Sequence, residues 1–210
     1  MKAFTLFTFL ILMLSAKNVF SSEMIEVPAG KFVMGDEADN GALPQQDILL
    51  QEFSIDRFEV TQEEYARLFP EFIFWKGAEA HPVTNITWHQ AQSYCKQLGK
   101  RLPTEQEWEK SARGTDARLY PWGDKPLRKK PHPFYSGIIK RRVGLNKKDN
   151  SPYGARDMAG SVWEWTENGK KVTRGGLWNH HLEYEYGKTF DRNLIAPFGR
   201  FIFLGFRCAK

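Results

Sequence analysis

Cysteine is scarce in this chain, with two residues in 210. A disulfide-dense scaffold and a clustered CxxC metal site are thereby excluded. No internal repeat and no low-complexity tract interrupts the sequence. No glycine-rich phosphate loop and no Ser-His-Asp nucleophile elbow is present, so nucleotide-phosphate and serine-hydrolase readings lack their motifs. Long apolar runs are missing beyond the first two dozen residues, which excludes a multi-span membrane protein. Acidic residues are slightly outnumbered, 25 against 30 basic ones, for a formal charge of +5. An apolar fraction of 41% with 16 Phe, 7 Tyr and 7 Trp suits one globular core.

Residues 1–22 read as a signal peptide. Lys2 supplies the positive start, Ala3 to Ala16 form an uncharged, mostly apolar run, and Val19 and Ser21 stand at small-residue positions of a cleavage site. The alternative is an uncleaved anchor, but the run is too short to span a bilayer comfortably. An exported domain over residues 23–210 is expected, in the periplasm or secreted. Removing Lys2 and Lys17 takes the charge from +5 to +3. Much of the remaining excess lies between Lys125 and Arg142, which reads as a solvated loop rather than a nucleic-acid surface. No stable membrane insertion is expected after leader removal. An oxidising compartment favours joining Cys95 to Cys208, and two unrelated buried thiols are the other possibility.

Three helices share one start signal. Thr61-Gln62-Glu63-Glu64, Thr87-Trp88-His89-Gln90 and Thr104-Glu105-Gln106-Glu107 each carry Thr followed three residues later by Glu or Gln, the pattern of a capping box. Pro70, Gly99 and Gly114 mark the expected ends. In the second helix Trp88, Ala91, Cys95 and Leu98 form one apolar stripe, which turns Cys95 to the core. Met24 to Gly35 reads as two short strands around Pro28-Ala29-Gly30. Phe53 to Val60, Val172 to Gly176 and Phe201 to Arg207 read as further strands. The fold class is α+β, with short helices and much irregular chain. Asn85-Ile86-Thr87 fits a glycosylation acceptor, but its main role is the helix start.

Several phrases occur in a fixed order: Glu26-Val27-Pro28-Ala29-Gly30-Lys31-Phe32, Phe58-Glu59-Val60-Thr61, Pro82 through Trp88, Gly99-Lys100-Arg101-Leu102-Pro103-Thr104-Glu105-Gln106-Glu107-Trp108, Tyr120-Pro121-Trp122-Gly123, Trp163-Glu164-Trp165, Arg174-Gly175-Gly176 and Gly205-Phe206-Arg207-Cys208. Together they resemble the formylglycine-generating enzyme, or sulfatase-modifying factor, family. The resemblance implies a modified C-type-lectin-like fold and a Cys95–Cys208 bridge. Asp157 and Glu164 bracket a glycine-containing segment, and from spacing alone they read first as surface acids. The resemblance implies instead one structural calcium, held by Asp157, the Gly160 and Val162 carbonyls, and Glu164. Hard oxygen ligands of this kind suit that ion. A second calcium site of the family is not reproduced by the basic stretch.

The family's oxidases hold copper on two cysteines shortly after the Arg-Gly-Gly-Ser phrase. Here the phrase runs Arg174-Gly175-Gly176-Leu177, and an ungapped count places His180 and Glu185 where those cysteines belong. Soft thiolates suit Cu(I), so no copper is expected. No catalytic residue is assigned, and Trp163 and Arg174 are pocket candidates. Two readings follow. One is a calcium-stabilised module for protein binding or maturation, with a protein or peptide partner. The other is a divergent metal-dependent oxidoreductase using residues near His180 and Glu185, where His181 and Glu183 add possible ligands. Adjacent histidines usually point apart, which favours surface or hydrogen-bonding roles.

Overall fold

A computed structural model describes residues 23–38, 42–125, 142–167, 172–176 and 187–210. The expected leader, most of the basic stretch, and Leu177, His180, His181, Glu183 and Glu185 lie outside the described residues. Two antiparallel pairs open the domain. Strand β1 (Met24–Val27) pairs with β4 (Phe53–Asp56), and β2 (Gly30–Met34) pairs with β3 (Gln46–Leu50). The strands on either side of Pro28-Ala29 therefore pair with later strands and not with each other. The strand expected from Phe53 to Val60 stops at Asp56, because the backbone then changes partners. Arg57 N donates to Glu23 O, and Val60 N to Phe206 O.

The three helices are α1 (Gln62–Leu68), α2 (Trp88–Gln97) and α3 (Glu105–Arg113). All three open on complete capping boxes. Thr61, Thr87 and Thr104 accept from the amides of Glu64, Gln90 and Glu107, whose side chains reach back to the cap amides. Helix α1 ends one residue short of Phe69-Pro70. Gly99 follows the α2 cap with φ 67°, a left-handed geometry that glycine adopts without steric cost.

A four-stranded sheet of order β7-β6-β5-β8 forms the other half, from β5 (Trp163–Trp165), β6 (Val172–Gly175), β7 (Arg192–Leu194) and β8 (Leu204–Gly205). Strands β5 and β8 run parallel and the other neighbours antiparallel. A methyl group on Gly205 would stand 2.6 Å from the Val83 carbonyl oxygen, so only glycine lets β8 approach the chain that leads into α2. The expected strand from Phe201 to Arg207 shrinks to two residues, since Leu204 N closes a turn on Phe201 O.

Two apolar clusters make the core. One gathers Tyr65, Ala91, Tyr94, Cys95, Trp163, Trp165 and Phe206 between α1, α2 and the sheet. The other gathers Ile25, Val27, Phe53, Ile55, Trp108 and Met158 beneath the first strand pair. The α2 stripe faces the first cluster as its spacing requires. Cys95 there is bonded to Cys208 with Cα atoms 5.6 Å apart and 113 residues between them in sequence. Closing a loop of that size stabilises the fold by roughly 4–5 kcal/mol on chain-entropy grounds. Replacing both cysteines by serine should therefore cost about 2–5 kcal/mol, seen as a lower melting temperature in calorimetry. Wild type under reductant should shift by a similar amount. An unchanged midpoint in both experiments would show that the bridge does not stabilise the domain.

Candidate functional site

Strand alternation sorts the residues of β5. Trp163 and Trp165 enter the first apolar cluster, while Glu164 turns the other way, towards α3. Glu164 is fully buried, and an ionised carboxylate there needs several donors. Arg207 provides a two-pronged pair, Nε to Oε2 and Nη2 to Oε1, each at 2.7 Å. The Trp108 indole donates to Oε2 at 3.0 Å. The remaining Arg207 donors reach the carbonyls of Asp56, Arg57 and Arg156. All five guanidinium N–H groups are thus engaged. Burial alone would depress Arg207, but Glu164, Glu59 and Asp157 outweigh that and hold it charged.

Around this cation the carboxylates are in excess. Glu59, Asp149 and Asp157 are buried within electrostatic reach of Arg207 or of one another. Burial, then the negative charges of Asp157 and Glu164, push Glu59 well above the usual carboxylate range. Burial and Asp157 push Asp149 up to about 7. Asp157 is also raised by burial, although the Gly144 amide, Arg207 and Arg156 counteract it. Glu59 Oε2 accepts from the Ser161 hydroxyl, while Oε1 is buried without a hydrogen-bond partner among the described residues.

The Asp157–Glu164 segment has a built shape. Asp157 and Ser161 both hold left-handed backbone, φ 59° and 63°, which curls Met158–Gly160 into a tight turn. The two oxygens of Asp149 pin that turn through the amides of Met158 and Ala159. Asp157 and Glu164, which spacing alone read as surface acids, are instead buried within electrostatic reach of each other, beside an acid the spacing could not reveal. That acid is Glu59. Among the described residues no three His, Cys, Asp or Glu side chains converge closely enough to hold a metal by themselves. An ion here would need backbone carbonyls as well. A hard divalent cation fits this oxygen-only, net negative setting.

Arg174 is engaged with α3. In register with Glu164 on β6, it is buried against α3, 2.7 Å from Glu105 and 2.9 Å from Glu109. Glu105 also meets Arg192, and Glu109 meets Arg113 and the Gly35 amide. Trp163 is likewise enclosed in the core. The positions matching the family's cysteines, His180 and Glu185, lie outside the described residues.

Residues 12–210 match the sulfatase-modifying factor enzyme 1-like domain family. The chain is 30% identical to the Bacillus subtilis (strain 168) protein YfmG over 72% of its own length, but spans only 42% of that protein. It is 26% identical to the mouse formylglycine-generating enzyme, covering 90% of this chain and 75% of the relative. It is also 26% identical to the bovine inactive C-alpha-formylglycine-generating enzyme 2, covering 89% and 87%. Among solved structures, Treponema denticola variable protein 1 superposes with a TM-score of 0.72 at 22% identity, over 89% of this chain and 94% of that one. Such a likeness speaks for the fold alone.

Arg207→Lys retains the charge but not the fork, so buried acceptors lose their donors. A loss of about 3–5 kcal/mol is expected, measured by urea unfolding. Glu59→Gln should act oppositely in chelator at neutral pH and raise the unfolding midpoint. The sign follows from linkage: a carboxyl raised in the folded state loses stability as pH climbs above its unfolded value, about 4.3. The advantage of Glu59→Gln over wild type should therefore grow as pH rises. A pH-independent difference would contradict the assigned environment.

Proposed function

The chain belongs to the sulfatase-modifying factor enzyme 1-like domain family and has its C-type-lectin-like α+β fold, and from that premise we propose an exported, calcium-stabilised member that does not make formylglycine. In this reading the protein is a binding or maturation-accessory module whose partner is a protein or peptide. The observation that carries it is the Cys95–Cys208 bond. It takes the only two cysteines of the chain, so no thiolate pair is left to grip Cu(I). Overall identity does not discriminate, since the active mouse enzyme and the inactive bovine paralogue are equally distant. The thiol inventory supports the inactive side. Export is supported by the same bond, which persists in oxidising compartments, and by the leader-like residues 1–22. Among the described residues no helix is long and apolar enough to cross a membrane.

Asp157 and Glu164, with the Gly160 and Val162 carbonyls, are the groups that would hold calcium. The ion would supply charge compensation and would lock the turn against β5. It would thereby fix the relation between the Asp157–Glu164 turn and the Arg207 knot. A partner-binding surface built on loops needs that kind of anchoring.

Two measurements test the reading. Calcium should raise the melting temperature of chelator-treated protein, by an amount that grows with the logarithm of its concentration. Asp157→Ala should abolish the shift. With a sulfatase-type cysteine peptide, oxygen and Cu(I), the purified protein should show no oxygen consumption and no aldehyde product. Aldehyde formation above a no-protein control would overturn the non-oxidase assignment.

A further inference from the structure

Two loops carry the two most exposed large apolar side chains of the described residues, Ile73 and Phe198. The first, residues 69–77, follows α1 and presents Ile73, 89% exposed, and Trp75, 63% exposed. The second, residues 196–203, precedes β8 and presents Phe198, 77% exposed, beside Phe201 and Ile202. Each loop is built on buried neighbours. Phe69 and Phe72 pack on Tyr65, and Phe203 packs on the same apolar cluster. The second loop is also pinned by backbone bonds, Trp88 N to Pro197 O and Asn85 N to Phe201 O, both 3.0 Å, and its turn is closed by Gly199 N to Ala196 O. The loops rest on one shared base, because Phe69 and Phe72 of the first and Phe203 of the second pack on the same apolar cluster around Tyr65. The exposed side chains are therefore held outward by a fixed base.

Cations are interleaved with these apolar tips. Lys76 follows Trp75, and Arg200 stands between Phe198 and Phe201. Among the described residues neither is in an ion pair with a carboxylate, Arg200 donating only to the Asn85 carbonyl. Glu71 is the one acid in either loop, and the whole chain is basic, with pI about 9.1. Ile73 and Phe198 are exposed enough to stand out from the surface. A pliable anionic surface accepts such side chains without a matching groove. Aromatic and aliphatic groups settle at the headgroup boundary, and Lys and Arg meet the phosphates. A second copy fits less well, because a two-fold contact would set the same cations against each other.

We propose that these two loops form a docking surface that rests the protein on an anionic lipid bilayer, with Ile73, Trp75 and Phe198 entering the headgroup region and Lys76 and Arg200 contacting lipid phosphates. The contact is peripheral and reversible, involves no spanning segment, and is independent of the calcium and oxidase readings.

Co-sedimentation of the purified protein with phosphatidylcholine vesicles, with and without phosphatidylglycerol, tests it. Binding is expected only when phosphatidylglycerol is present, and added salt should weaken it. The double variant W75S/F198S should bind about tenfold more weakly, and R200Q about fivefold more weakly. Both variants must keep the wild-type melting temperature, since the altered groups are exposed. Three results would overturn the proposal. One is no sedimentation with anionic vesicles. Another is full binding by W75S/F198S, which would place the contact elsewhere, such as the basic run near Arg128 to Arg142. The third is a concentration-dependent dimer, seen by light scattering, that W75S/F198S abolishes while vesicles bind nothing.

Discussion

The guanidinium of Arg207 is the joint on which the rest of the domain turns. One planar group contacts the end of β4, the carbonyl before Asp157, and the carboxylate at the centre of β5. Its neighbour Cys208 is bonded to α2 and donates its amide to Asp56, which in turn holds Lys100. A bidentate pair of this kind fixes orientation as well as distance. Its cost is desolvation, which the surrounding carbonyls offset only because every donor is used. The same pair creates a further demand. With Glu164 satisfied, Glu59, Asp149 and Asp157 remain as acids in low dielectric. Their protonation, or a cation among them, becomes part of the folded state.

Helix α3 shows how charge can serve as core. Glu105, Glu109, Lys110 and Arg113 are all buried, although the helix would be expected to turn them to solvent. Each has a partner from another element. Lys110 donates to the Pro28 and Gly30 carbonyls, Arg113 to the carbonyl of Gly35, and Arg174 approaches from β6. The helix thus joins the sheet to the β2–β3 pair through ion pairs and main-chain hydrogen bonds. Such contacts are direction-dependent, so they set register where an apolar face would allow sliding.

What was legible in the sequence follows from how local each signal is. The capping boxes of Thr61, Thr87 and Thr104 are written within four residues, and all three helices begin where those residues say. The order of the family phrases made the fold and the bridge readable in the same way. Strands β3 and β7 were not visible, because neither has alternation strong enough to stand without its partner, and pairing between distant segments leaves little trace in either one. Glu59 was passed over for a similar reason. It sits in the phrase Phe58-Glu59-Val60, where an acid between apolar residues could have been read as buried. Its significance needs Ser161 and Asp157, about a hundred residues away. Arg174 read as a pocket residue because its phrase leads into the family's copper positions, whereas its partners on α3 became apparent only in three dimensions.

The pairing of β4 has a consequence in time. One of its edges is covered by β1, close in sequence, but the other receives Cys208 and Lys210, as in the bond from Asp56 N to Cys208 O. A ribosome adds about 5–20 residues per second. The second edge of β4 must therefore wait on the order of ten seconds or more for its partner. During that interval Phe53 and Ile55 lie on an open strand, and Cys95 has emerged without the sulfur it will join. Safe passage to the native state thus depends on whatever shields that edge and keeps that thiol from bonding to the wrong molecule.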